Sequence, residues 1–225
     1  QIEDLALVYR FSVGMDEHGQ STILVKNDML DRYGITAEQL HEDAMMSAPQ
    51  IEAPSMKTLF ETTAEIMGED FFELMGEVEP AMPGVYVCTN ESKHHGASVL
   101  MYPDFMDEVA DKLGGDFYII PSSIHETLLF PAKDVENYHD LEAMVREVNE
   151  TQVAPEERLS DNVYHYDAEA KVFELAQHHE ERMADMEKDS GDRGEKASVL
   201  KDLTAKSKEV AEKAPKEHAA PKKSR

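Results

Sequence analysis

The chain has 225 residues, enough for one or two domains with a real core, and 41% hydrophobic against 31% charged residues describes a mostly globular protein. Its formal charge of −25 divides unevenly: residues 189–225 hold 10 Lys+Arg against 7 Asp+Glu, and the first 188 residues carry the other 12 Lys+Arg and 40 Asp+Glu, a balance of −28. A body that acidic repels phosphate backbones, which argues against direct nucleic-acid binding by it and leaves room for a basic protein partner.

Residues 4–13 (DLALVYRFSV) and 21–25 (STILV) read as two strands around the turn-forming residues 14–20 (GMDEHGQ). Asn27 is a plausible cap for a short helix that stops at Gly34. Thr36-Ala37-Glu38-Gln39 has the capping-box form and opens a second helix, which Pro49 is expected to end. Residues 55–68 and 69–76 read as short amphipathic helices. Residues 84–90 (GVYVCTN) and 97–101 (ASVLM) then read as strands around a turn, followed by a helix over 102–115 with a Gly-Gly stop.

The stretches HGQSTILVKNDMLDRYG and HGASVLMYPDFMDEVADKLGG share one order: His-Gly, strand, break, acidic helix, glycine. Two degenerate hairpin–helix repeats and a coincidence of common grammar both fit. Residues 116–120 (DFYII) and 127–131 (TLLFP) form a third strand pair, and a helix follows with Leu141, Met144, Val145 and Val148 at three- and four-residue spacing. A strand is expected at 163–167 and a helix from 168 to 189. Strands and helices mix without a βαβ rhythm, so the expected fold class is α+β, with antiparallel β-hairpins packed against helices. The expected organisation is an acidic body over 1–188 and a mobile Lys-, Ala- and Glu-rich tail over 189–225.

A single cysteine, Cys88, rules out an intramolecular disulfide and suits a cytoplasmic setting. No run approaches the roughly 18 apolar residues of a membrane span. No signal peptide is visible, but the chain opens on Gln1 almost directly in a strand-like run, as a fragment with a missing upstream part would.

The stretch that looks most like chemistry is PSSIHE, residues 121–126. A hydrolase reading makes Ser122 or Ser123 a nucleophile, His125 a base and Glu126 its orienter, with Tyr118 or His165 converging on His125. Against it, His125 and Glu126 are consecutive and point apart in extended chain, and no Gly-x-Ser-x-Gly elbow is present. The competing reading is a loop whose hydroxyls satisfy local backbone groups. For metals, His41-Glu42, His125-Glu126 and His179-Glu180 each lack the second histidine of a zincin, with Met45, Leu129 and Met183 in its place. Neither this nor the pairs His94-His95 and His178-His179 makes a metal site the expectation. Phosphate-cradling glycine loops are missing too, so no cofactor is expected. Carboxylates cluster at Glu69, Asp70, Glu73, Glu77 and Glu79, and at Asp104, Asp107, Glu108 and Asp111. They could imitate a phosphate backbone or form a solvated face.

The phrases DLALVYR, GITAEQLHEDAM, VYVCTN, LGGDFYIIPSSIHE and MVREVNETQVAPEERLSDNVYHYD together resemble the uncharacterised bacterial domain-of-unknown-function family 5688, over about residues 4–167. The resemblance implies a bacterial, cytoplasmic protein, often encoded near mobile elements, and transfers no mechanism. The expected function is a non-enzymatic protein-interaction module with an unknown protein partner, for which the acidic body leaves a basic protein as one option. A hydrolase-like enzyme at 121–126 and an acidic nucleic-acid mimic are the alternatives.

Overall fold

Alternation of side chains is what builds this molecule. In the computed structural model, which describes residues 2–16, 19–68, 84–121 and 123–188, six short strands form one sheet. They are β3 (Pro54–Thr58), β4 (Tyr86–Asn90), β5 (Phe117–Ile120), β6 (Thr127–Pro131), β7 (Tyr164–Asp167) and β8 (Val172–Leu175). Their order is β3-β4-β6-β5-β7-β8, and every neighbouring pair is antiparallel. A separate two-stranded hairpin, β1 (Arg10–Asp16) with β2 (Gly19–Leu24), precedes it. The fold is α+β, with antiparallel strands packed against helices.

Successive residues of a strand point to opposite faces, so the sheet has two apolar surfaces. Cys88, Phe117, Ile119, Leu129, Tyr164 and Tyr166 face one way and are buried by a 3₁₀ segment (Gly96–Met101) and by helix α4 (Phe105–Leu113). Phe105, Met106, Val109, Ala110 and Leu113, at helical spacing, are its buried stripe. Ile120, Phe130 and Val163 face the other way, against Tyr138, Leu141 and Val145 of α5 (Tyr138–Thr151). The remaining described helices are α1 (Asn27–Tyr33), α2 (Ala37–Ile51) and α3 (Leu59–Met67). Residues 176–188 are also helical.

The helix ends follow the local chemistry. Thr36 Oγ1 accepts from the Gln39 N–H at 3.2 Å, and Gln39 Oε1 accepts from the Thr36 N–H at 2.9 Å, a closed capping box. Gly34 and Gly114 close α1 and α4 in left-handed conformation, as glycine alone does without strain. The cap of α1 is Lys26 rather than Asn27, which becomes the first helical residue.

Five expectations change. The first hairpin is shifted along the chain: β1 begins at Arg10 rather than Asp4 and runs to Asp16, and β2 begins at Gly19, so residues 14–16 and 19–20, expected as turn, are strand. Helix α2 runs through Pro49 to Ile51; the proline sits in the last turn, where its missing N–H removes one hydrogen bond without stopping the chain. Residues 55–58 are not helical but belong to β3, and Thr58 caps the helix that follows, accepting from the Glu61 N–H at 3.1 Å. Residues 97–101 are 3₁₀ rather than strand, because the chain there is pinned sideways: the Ala97 N–H donates to the Ile124 carbonyl at 3.2 Å. The segment after residue 168 first makes β8, through a turn in which Asp167 Oδ1 accepts from the N–H groups of Glu169 and Ala170.

The chain divides into two units, residues 1–179 and 180–225. Of the second, residues 180–188 are described and are helical. The tail from 189 and the segment 69–76 lie outside the described residues.

Candidate functional site

Residues 121–126 are the connection between β5 and β6. Pro121 is buried at its base, and Ser122 lies outside the described residues. Ser123 donates its N–H to the Glu126 carbonyl at 3.2 Å, and its Oγ accepts the His125 N–H at 3.0 Å. Its hydroxyl oxygen thus serves the backbone of its own loop. The side chain of Glu126 is exposed.

Three further contacts tie this loop to distant chain. The Thr89 hydroxyl donates to the His125 carbonyl at 2.8 Å. The Ile124 N–H donates to the Glu157 carbonyl at 2.9 Å. His125 Nδ1 accepts the His95 backbone N–H at 3.2 Å. An amide N–H can only donate, so Nδ1 carries no proton and the neutral ring holds its hydrogen on Nε2. Nε2 in turn faces Glu157 Oε1 at 3.5 Å. Both nitrogens of the imidazole are therefore engaged, and among the described residues neither is bonded to Ser123.

The turn that delivers His95 is organised by Asn90, which is 2% exposed. Its Oδ1 accepts the His94 N–H at 3.1 Å and its Nδ2 donates to the His94 carbonyl at 2.9 Å. The turn carries Lys93 and His95 in left-handed conformation, uncommon for residues with a Cβ. Gly96 follows, and here its missing side chain decides the geometry. A Cβ would lie 2.1 Å from Thr89 Oγ1 and 2.4 Å from the His125 carbonyl oxygen. Three imidazoles result in one cluster: His94 to His95 at 4.0 Å between ring centres, His94 to His125 at 5.2 Å, and His95 to His125 at 5.7 Å. Burial, with the neighbouring His94, Arg10 and His125, pushes the His95 imidazole down to about 4. Among the described residues no group of three or more His, Cys, Asp or Glu is arranged to hold a metal ion.

Tyr118 and His165 occupy opposed positions on β5 and β7, with ring centres 5.0 Å apart. The groups that meet His125 are instead His94, His95 and Glu157. His165 belongs to a second ionisable cluster that the sequence reading missed. It is 2% exposed, stacks on His179 at 3.6 Å, and its Nε2 lies 3.8 Å from Asp116 Oδ2. His179 Nδ1 is 3.3 Å from Glu174 Oε1. His165 Nδ1 is buried without a hydrogen-bond partner. Burial first, then His179, pushes the His165 imidazole down to about 4. The available signal was the alternation in VYHYD, which puts His165 on the face opposite Tyr164 and Tyr166.

Cys88 is buried in the core, and that burial raises its thiol to about 12, so it is no nucleophile at neutral pH. Asp107, one of the clustered carboxylates, accepts hydrogen bonds from the Tyr166 hydroxyl at 2.6 Å and from Lys171 Nζ. The cluster at 69–79 lies outside the described residues. Asp4 is a structural anchor for the N-terminal segment. It accepts hydrogen bonds from Ser160 Oγ at 2.8 Å, Asn162 Nδ2 at 3.0 Å and the Tyr164 hydroxyl. Burial acts to raise its carboxyl, but those donors prevail and hold it below the usual range.

Among the described residues, no helix is long and apolar enough to cross a membrane. No curated protein and no solved structure matches the chain. A family described as a family of unknown function, DUF5688, matches residues 1–168 of the 225, and the chain belongs to that family.

Proposed function

We propose that the chain is a non-enzymatic protein-interaction module that docks a basic, apolar protein segment on its N-terminal hairpin. The observation that carries this reading is an apolar surface left exposed among the described residues. Outside residues 15–20, no described residue from 2 to 68 is buried. Phe11 and Ile23 are cross-strand partners on the hairpin, and the Phe11 ring meets Tyr33 of α1 edge-on at 6.0 Å. These three are 40%, 51% and 57% exposed. Grouped exposed aromatic and aliphatic side chains are the usual mark of a binding surface. Residues 2–68 hold four Lys+Arg against twelve Asp+Glu, a balance of −8. That charge disfavours a second copy of this chain as the occupant and favours a partner rich in Lys and Arg. The hydrolase alternative has less support, because both ring nitrogens of His125 are committed to other groups. The setting proposed with this reading is the bacterial cytoplasm, where a buried free thiol is at home.

The test is binding of a Leu/Lys peptide patterned as an amphipathic helix, with its scrambled isomer as control, read by fluorescence anisotropy. The patterned peptide is expected to bind at least about tenfold more tightly than the scrambled one, and a Phe11→Ser, Ile23→Ser variant to lose at least about tenfold, the loss of one anchoring contact. Equal binding of both peptides would reduce the surface to unspecific charge. A dimer in sedimentation equilibrium, dissociated by the same double substitution, would replace the proposed partner with a second copy.

A further inference from the structure

We infer that the loop at 121–126 is a proton-sensitive clamp, closed when His125 is neutral and released from the His94–His95 turn when His125 takes up a proton. The geometry is specific about which contact changes. The His95 N–H donates to His125 Nδ1 at 3.2 Å. A protonated imidazole carries hydrogen on both nitrogens, so Nδ1–H would then confront an N–H, and a hydrogen bond becomes a donor–donor repulsion. On the other side of the ring the change runs in the opposite direction. Nε2 faces Glu157 Oε1 at 3.5 Å, and that pair becomes an ion pair. The proton therefore weakens the contact to the 91–96 turn and strengthens the contact to residue 157.

The remaining groups around the ring work with this switch. His94 and His95 face His125 from the turn at 5.2 and 5.7 Å between ring centres. Any charge they acquire repels an imidazolium at residue 125. Arg10 of β1 adds a fixed positive charge near His95. Glu157 is the one carboxylate paired with the ring among the described residues. Glu126 follows in the chain with its side chain exposed. The turn itself is held in an unfavourable conformation, with Lys93 at φ +56° and His95 at φ +52°, so loss of the His95 N–H bond removes a restraint that keeps it there. The contacts from Thr89 to the His125 carbonyl and from Ala97 to the Ile124 carbonyl do not titrate. The release is therefore local, confined to residues 91–96 and 123–126.

Amide hydrogen exchange of the full chain, measured by NMR between pH 7.5 and 4.5 and corrected for intrinsic rates, tests the clamp. The His95 amide is expected to lose at least about tenfold in protection as the pH falls, while Ile119 and Leu129 in the central strands keep theirs. His125→Asn preserves an acceptor and cannot be protonated, so its His95 amide should hold its protection throughout. Unchanged protection of His95 in the wild-type chain, or loss in step with Ile119 and Leu129, would overturn the proposal. Should the variant fail to fold, the nitrogen-15 shifts of the His125 ring in the wild-type chain decide. A proton on Nδ1 at pH 7.5 contradicts the clamp, and a bare Nδ1 that gains its proton as the His95 amide loosens supports it.

Discussion

His165 shows how one buried side chain ties stability to acidity. With its ring pressed against His179 and its imidazole held down to about 4, the folded chain takes up this proton later than the unfolded chain, where the group titrates near 6.5. A histidine whose folded value is depressed leaves the unfolded state holding more protons below pH 6.5, so stability falls as the pH drops from about 6.5 toward 4 and levels off below. Between pH 7 and 4.5 this one group should remove roughly 2 kcal/mol, since each unit of difference is worth about 1.4 kcal/mol. His165→Phe keeps the flat ring and deletes both the titration and the orphaned Nδ1. In urea unfolding at the two pH values the variant should show a correspondingly smaller drop than the wild-type chain. A drop of the same size would mean that His165 does not titrate in this window. Alternation in VYHYD gives the face on which His165 lies, but its stacking on His179, like the meeting of His94, His95 and His125, could not be read from the sequence. Their partners lie about 30 residues away or across a strand register, and local periodicity reports only neighbours. The loop at 121–126 was legible as polar, and the service of Ser123 to its own backbone follows from residue type alone.

At the level of elements, legibility tracked where the information resides. The inner strands β4, β5, β6 and β7 announce themselves by β-branched and aromatic residues between breakers, and the capped helices by Thr36 and the glycine stops. The two misread strands, β3 and β8, are the two edges of the sheet. Each is four or five residues long and runs directly into a helix, with no Gly or Pro to separate them. Such a segment becomes a strand because a partner offers unpaired backbone groups, which is a property of the fold and not of the segment. Thr58 marks the switch between the two conformations. It ends β3 and caps α3, and its own N–H donates to Glu61 Oε2 at 2.8 Å. Thr58→Ala should destabilise the chain by about 1 kcal/mol, whereas Thr58→Ser, which keeps the hydroxyl, should stay within about half of that. Thermal unfolding of the two variants side by side distinguishes the cap from the mere loss of a methyl group.

For the molecule as a whole, the strand order fixes a sequence of events in time. The central strands β5 and β6 are joined by residues 121–126 alone. Closing so short a loop requires little chain entropy. Strand β4 must instead cross the stretch between residues 90 and 127 to pair with β6, and β7 must cross the stretch between 120 and 164 to pair with β5. The central hairpin can therefore assemble early and offer both its edges, and capture of the two distant strands follows as the slower step. Gly96, which lets the chain beyond β4 settle against Thr89 and the His125 carbonyl, belongs to that later closure. In stopped-flow kinetics Ile119→Val should chiefly slow refolding, while Gly96→Ala should chiefly hasten unfolding. Equal partition of both substitutions between the two rates would mean that the sheet condenses all at once. If the order holds, the glycine that admits the histidine cluster governs how long the native state lasts, and the hairpin beneath it governs how soon that state is reached.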